Sequence, residues 1–364
     1  MIYLDHAATT KPDARVIAAV ARCMAEEWAN PSSPCGAAGA ARREMRLARQ
    51  AVAGMLNAGA GEIVFTSGGS EANSHAMTLA SGGHAVVSAV EHASVLNAAR
   101  HWAREVTRVM PDADGAIRPE AVAAALRPDT RLISVQLVNN ETGVIHPVAA
   151  IGALARSRRI PFHCDAVQAF GHIPIDVRVM NIDLMSLSAH KFYGPRGVGA
   201  LYVRQGIGLR PLIDGGGQEF GLRSGTENVS GICGLRVAAA LAQGDMAQRA
   251  QRERALLQGF VAELGAKIPG MRLLGAGAER APGVAAILLP GMESEKVVAE
   301  LDLKGIAVSG GAACAARERE ISHVTRAMGL SEGDARCVLR ISVGRFTTAA
   351  ELEEAARAIA EIRG

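Results

Sequence analysis

Lys191 stands in the stretch "SLSAHKFYGPRGVGA", residues 186–200, directly after His190 and between an apolar run and a glycine-rich turn. A lysine amine does covalent work when it condenses with a carbonyl, of a substrate or of an aldehyde cofactor. An isolated lysine is most often a solvated surface group. This one follows the run "DLMSLS", and parallel sheets place their functional crevice at the carboxyl ends of strands. Four other apolar runs also end on polar groups. "HCDAVQ" supplies Asp165 and Gln168, "TSGGSEANS" supplies Ser70 and Glu71, "AVEHASVL" supplies His92, and "LVNNETG" supplies Asn140. Each has an ordinary explanation: Asp165 as a helix N-cap, the Gly/Ser turn as cap chemistry, His92 as a satisfied structural histidine. Five strand ends that each deliver a polar group are harder to explain by packing.

The set matches the needs of pyridoxal phosphate. An aspartate beside a pyridinium nitrogen is ion-paired and keeps the ring electron-poor, whereas a buried aspartate without a cation is costly. A helix with Ser70 and Glu71 in its first turn offers free backbone N–H groups to an anion such as a phosphate. His92 is flat enough to stack on a ring and able to shuttle a proton.

Holding these groups together requires a large α/β layer. From about Asp13 to Ala240, apolar runs alternate with Ala-rich stretches of helical periodicity. The runs are "EIVFTS", "HAVVSAV", "EVTRVM", "RLISVQLV", "PFHCDAV", "DLMSLS" and "GVGALYV". Continuous apolarity predicts strands covered on both faces, hence a mostly parallel seven-stranded sheet clad in helices. "DGGGQEFGLRSGTEN" reads as a long ordered loop. After the helical run "GICGLRVAAALAQ" the pattern changes. The helix-like "QRERALLQGFVAEL", the strands "VAAILLP" and "CVLRISVG", and the closing helix "AAELEEAARAIAEIR" predict a smaller α+β unit. The expected division is a large domain at 13–245 and a small one made of 1–12 and 246–364.

Composition excludes several classes. Among 364 residues, 49% are hydrophobic and only 3% aromatic, so the core must be built from aliphatic side chains. Thirty-nine basic against 36 acidic residues, spread without blocks, describe no polyelectrolyte-binding face, so nucleic acid is not an expected partner. No apolar run approaches the roughly 20 residues of a membrane span. Asp5 breaks the region where a signal peptide would need unbroken apolarity, so a cytoplasmic protein is expected. The six cysteines form neither a CxxC pair nor a zinc-finger spacing.

These residues together carry a resemblance. The chain is similar over nearly its whole length to cysteine desulfurases of the NifS/IscS kind, fold-type I pyridoxal-phosphate enzymes of the class V aminotransferase family. The matching motifs are "YLDHAATT", "NPSSP", "EIVFTSGGSEAN", "VEHASVL", "VNNETGV", "DAVQAFG", "SLSAHKFYGPRGVG", "RSGTENV" and "CVLRISVGRFTT". The resemblance implies that Lys191 forms a Schiff base with the cofactor, that Asp165 pairs with the pyridine nitrogen, and that Gln168 bonds near the phenolic oxygen. It implies that His92 stacks on the ring and passes protons. Gly69, Ser70, Ser188 and His190 would hold the phosphate, helped by Thr226 from a second subunit, which makes the enzyme a homodimer. Asn140, beside the cofactor, and Arg340 would grip the substrate carboxylate; a guanidinium fork suits a carboxylate.

A cysteine separates a desulfurase from an aminotransferase. Cys314, in "AVSGGAACAARERE", follows two glycines and precedes a charged stretch, whereas Cys164, Cys233 and Cys337 lie in apolar surroundings and read as small buried hydrophobes. The resemblance implies that Cys314 takes the sulfur of L-cysteine as a persulfide, releases L-alanine, and passes the sulfur to an iron–sulfur scaffold or other acceptor protein. It could also ligate a cluster transiently; no other metal ligand is expected. The stretch from Cys314 to "SHVTRAMG" resembles the longer form of this loop, although "SGGAACAA" stands where "SSGSACTS" is common, and Cys35 stands where a histidine is frequent. The sequence ends at Gly364, which implies no tail-mediated scaffold contact. Alternatives are a selenocysteine lyase or another β-lyase on the same fold, and a non-catalytic sulfur-transfer partner, for which Lys191 would have no use.

Overall fold

The computed structural model describes residues 1–311 and 321–363. The chain opens with β1 (Ile2–Tyr3), followed by helices α1 (Ala14–Glu26) and α2 (Ala38–Leu56). Strands and helices then alternate: β2 (Ile63–Thr66), α3 (Gly69–Met77), β3 (His84–Ser88), α4 (Ala93–Trp102), β4 (Glu105–Val109), α5 (Pro119–Ala125), β5 (Thr130–Ser134), α6 (Val148–Arg158), β6 (Phe162–Asp165), β7 (Leu184–Ser188) and β8 (Gly199–Val203). These strands form one sheet in the order β2-β8-β7-β6-β5-β3-β4. Neighbours from β7 to β4 are parallel, and β8 runs antiparallel to both β2 and β7.

The continuous apolar runs are explained by burial on both faces. Ile63, Phe65, Val86, Ile133, Phe162, Met185 and Leu187 face one core, and Val64, Ala85, Val87, Leu132, Leu184 and Leu201 face the other. One run departs from the expected pattern. "EVTRVM" is β4, the sheet edge, where Glu105 and Arg108 are exposed. Charged edge residues discourage pairing with another chain.

The two helical runs read as separate are one helix, α7 (Val229–Lys267), 39 residues long. Asp245, the expected domain boundary, lies in its middle. "AQGDMAQRAQRERA" consists mostly of good helix formers, and a single glycine, Gly244, is tolerated in such a context. The first half of α7 packs on the large core through Ile232, Leu235 and Ala239. Its second half supplies Leu257, Phe260 and Leu264 to a separate core. That core also takes residues from β9 (Arg272–Leu273), β10 (Val284–Leu288), α8 (Ser294–Leu303), β11 (Ile306–Ala307), β12 (Val338–Ser342) and α11 (Ala349–Arg363), with the short helices α9 (His323–Ala327) and α10 (Glu332–Arg336) before β12. Strands β12-β10-β9 are antiparallel, and β1 joins β11, which brings Leu4 into the same core. No helix among the described residues is long and apolar enough to cross a membrane.

Candidate active site

The carboxyl ends of β2, β3, β6 and β7 converge on one edge of the sheet. Register shows this directly: Thr66, Gly199 and Ser188 stand level across β2, β8 and β7. A cleft of about 450 Å³ opens there, lined by Ala8, Thr9, Ser67, Gly68, Gly69, Ser70, Glu71, Ser188, His190, Arg196 and Gly197. Its floor has no room for side chains. A Cβ on Gly69 would lie 2.7 Å from Val167 Cγ2, and one on Gly199 would lie 2.4 Å from the Leu187 carbonyl oxygen and 2.8 Å from Gly68 Cα. Gly68 has φ +152°, close to extended backbone but on the glycine side of the map. The α3 helix begins directly over this floor at Gly69, so its unpaired N–H groups face an anion-sized space.

Asp165 ends β6 and is 5% exposed. Its Oδ2 accepts from Asn73 Nδ2 at 2.7 Å and its Oδ1 from the Val167 backbone N–H at 2.9 Å. No ion pair to this carboxylate is found among the described residues. A buried carboxylate with two neutral donors and no cation is suited to receive one. A pyridinium nitrogen is such a cation, and the glycine floor with the α3 N-terminus is such a phosphate cradle, so the residues present fit pyridoxal phosphate. Asn73 escaped the reading of the sequence. It also donates to Ser94 Oγ at 2.9 Å, and its signal was a polar residue of poor helix propensity one turn inside a helix.

His92 is the N-cap of α4. Its Nδ1 accepts from the Ser94 N–H at 3.1 Å and lies 2.7 Å from Ser94 Oγ, which leaves the proton of the neutral ring on Nε2. Burial holds its pKa below the ordinary histidine range against the pull of Asp165, and the charges of Lys191 and His323 add to the lowering. Burial, Lys191 and Arg196 push His190 down to about 4, so this histidine is neutral near pH 7 and its Nδ1 meets Thr9 Oγ1 at 3.1 Å.

Lys191 lies in the turn after β7. Its Nζ donates to the Ala7 carbonyl at 2.6 Å and the Ala8 carbonyl at 2.8 Å, and Gln168 Nε2 donates to the same Ala7 oxygen at 2.7 Å. The segment from Asp5 to Thr10 therefore lies against the candidate lysine. Thr10 Oγ1 donates to the His190 carbonyl and accepts from the Tyr193 N–H at 2.7 Å, holding Tyr193 at φ +70°, a strained conformation two residues past Lys191.

Arg340, on β12, is 2% exposed. It donates to Asp5 Oδ1 at 2.7 Å and to the Asn140 backbone carbonyl at 3.1 Å, which places Asn140 beside it. Thr226 is exposed on the loop before α7 and does not line the cleft of its own chain. Cys314 lies outside the described residues. The residues that flank its stretch both meet Glu141: Ser322 Oγ donates to Glu141 Oε2 at 2.6 Å, and a Cβ on Gly311 would sit 3.4 Å from the same oxygen. His323 Nε2 lies 2.9 Å from the Glu91 carbonyl, next to His92. Cys23, Cys164, Cys233 and Cys337 are buried and Cys35 is exposed. No cluster of three metal-binding side chains occurs among the described residues.

A family model described as aminotransferase class-V matches residues 2–354. A cysteine desulfurase IscS of Anaeromyxobacter dehalogenans (strain 2CP-C) is 43% identical, covering 99% of this chain and 92% of the relative. A cysteine desulfurase of Cereibacter sphaeroides is 44% identical over 97% of this chain and 93% of its own length. Among solved structures, a NifS-like protein from Rickettsia africae ESF-5 superposes with a TM-score of 0.93 at 32% identity, covering 100% of this chain and 99% of that one. SspA in complex with cysteine superposes with a TM-score of 0.83 at 35% identity, over 96% of this chain and 100% of that one. Family model, relatives and cleft agree: this chain belongs to the class-V aminotransferase family, in its NifS/IscS-like group of pyridoxal-phosphate-dependent cysteine desulfurases.

Proposed function

We propose that this chain takes sulfur from L-cysteine, releases L-alanine, and carries the sulfur as a persulfide on Cys314 for iron–sulfur cluster assembly. The observation that carries this reading is the buried carboxylate of Asp165, without an ion pair among the described residues, in one site with the Lys191 amine and the glycine-floored cradle. The cysteine bound to the similar protein SspA supports the choice of substrate.

Bound pyridoxal phosphate supplies an electron-poor ring that stabilises negative charge at the substrate α-carbon. The chain's residues do the rest. Lys191 would hold the cofactor, and its amine, next to the Ala7 and Ala8 carbonyls, would move the substrate α-proton. Asp165, kept in place by Asn73 and the Val167 N–H, would pair with the ring nitrogen. His92, neutral with its proton on Nε2, would pack over the ring, and Gln168 would lie near its oxygen. Gly69, Ser70, Ser188 and His190 would hold the phosphate, and Thr226 would reach the phosphate of a second copy, which would make the working unit a homodimer. Asn140 and Arg340 orient the substrate carboxylate. Cys314 as thiolate attacks the substrate sulfur: an S–S bond forms, the Cβ–S bond breaks, and the Cβ gains the proton that completes alanine. A thiol that must stay reduced between turnovers suits the cytoplasm.

The test uses purified holoenzyme with L-cysteine and a reductant, measuring alanine and sulfide. Equal amounts of both are expected. Lys191→Ala should lose both products and the visible absorption of the lysine-bound cofactor; alanine release by Lys191→Ala refutes the assignment. Mixed dimers of Lys191→Ala and Thr226→Ala chains should regain one working site, and failure to do so refutes the shared-site dimer.

A further inference from the structure

Arg340 is a buried cation on β12. Its guanidinium is buried, and two acceptors fix it: Asp5 Oδ1 at 2.7 Å and the Asn140 carbonyl at 3.1 Å. Its Nε is buried with no partner among the described residues. An unsatisfied buried N–H on a cation marks a place for an anionic ligand. Asp5 in turn is held by the backbone. Ser342 N–H donates to the Leu4 carbonyl at 2.7 Å, Ala7 N–H donates to Ser342 Oγ at 2.9 Å, and Asp5 pairs with Ser342 along β12. The Asp5 side chain is 17% exposed and the Arg340 side chain 2%, so the pair is largely shielded from water. The same segment supplies the Ala7 and Ala8 carbonyls that receive Lys191 Nζ.

Building on the desulfurase reading above, we infer that Asp5 is a positioning residue for substrate recognition. It fixes the Arg340 guanidinium in one orientation, so that Nε and the remaining N–H groups meet the carboxylate of L-cysteine without a search through side-chain rotamers. Arginine has four flexible torsions, and ordering them only at binding weakens affinity. Asp5 also carries a charge that opposes an incoming carboxylate. Positioning outweighs that repulsion because Arg340 without its acceptor would be a buried cation with one hydrogen bond fewer, and would turn away from the site to regain it.

The experiment compares Asp5→Ala and Asp5→Asn holoenzymes with the unaltered one, using L-cysteine and cysteamine, the same amine and thiol without the carboxylate. Asp5→Ala should raise KM for L-cysteine about tenfold, the scale of one charge-assisted bond, with kcat nearly unchanged. Asp5→Asn keeps an oxygen acceptor and should recover most of that loss. The cofactor's spectral response to cysteamine should titrate alike in all three proteins. A KM that falls in both variants would show that Asp5 competes with the substrate, and an unchanged KM would show no role; either overturns the proposal. Equal weakening toward L-cysteine and cysteamine would also overturn it, since that is the mark of a general structural defect. An unaltered enzyme inert toward L-cysteine would instead strike the desulfurase reading itself.

Discussion

Gly199→Ala separates a cradle held by backbone from one held by side chains. Gly199 opens β8, level with Thr66 on one side and Ser188 on the other. An added Cβ would lie 2.4 Å from the Leu187 carbonyl oxygen, 2.8 Å from Gly68 Cα and 3.1 Å from Gly68 C. The first of these is roughly 1 Å short of ordinary contact. All three obstacles are main chain, so no rotamer change relieves them; β7 and the turn at Gly68 must separate. Overpacking of this kind costs about 1–3 kcal/mol, and obstacles made of backbone place it toward the upper end. The displaced turn carries the Gly69 and Ser70 N–H groups that would meet the phosphate, and a charge-assisted hydrogen bond contributes about 1.5–3 kcal/mol. Two effects are therefore expected: a melting temperature lower by several degrees, and pyridoxal-phosphate affinity weaker by about ten- to a hundredfold. Spectrophotometric titration of the apoprotein and thermal melting read the two effects separately. Gly69→Ala comes too close only to the Val167 methyl, at 2.7 Å, with its other neighbours at ordinary contact; a small side-chain shift relieves this, and the effect should be milder. Gly61→Ala meets nothing within 4 Å and should leave cofactor affinity unchanged without lowering the melting temperature. A Gly199→Ala protein that melts and binds cofactor like the unaltered one would refute the claim that the cradle is rigid backbone.

Stability should peak between about pH 4.5 and 6.5. Burial depresses His163 and His172 to about 3 and His146 to about 4, so the unfolded chain binds more protons there and stability falls as pH drops below 6.5. Burial raises Glu91 to about 8 and Glu253 to about 7, so the folded chain binds more protons and stability falls as pH rises from 4.5 through those values. Above pH 6.5 only the carboxyl trend operates. Thermal melts at fixed ionic strength across pH 4.5 to 8 should therefore decline on the alkaline side, and Glu91→Gln should flatten that decline while keeping the acceptor for the Gln136 N–H; an unflattened limb rules out Glu91 as its source. Cys314→Ser should keep cofactor binding but form no persulfide in a single turnover read by mass spectrometry. Persulfide trapped on that variant would make another thiol, such as exposed Cys35, the carrier.

The sequence by itself determined the class of fold and most of the chemistry. Buried strands must be apolar on both faces, so seven runs announced a covered sheet, and polar residues at their ends announced the crevice. The motifs around Lys191, Asp165, Gly69 and His92 were legible because each is a short local arrangement of strand end, turn and helix start. Tertiary structure decided what local patterns do not encode. Which strand lies at the edge depends on sheet order, so the charged face of β4 became intelligible only there. The continuity of α7 across Asp245 followed from what each half packs against, because helix propensity alone marks no boundary between two cores. The partners of the site residues come from far along the chain: Asn73 on Asp165 spans 92 residues, Ala7 on Lys191 spans 184, and Asp5 on Arg340 spans 335. A hydrogen bond between residues so far apart leaves no periodicity in sequence; it exists only because folding brings the amino-terminal segment, β7 and β12 to one place.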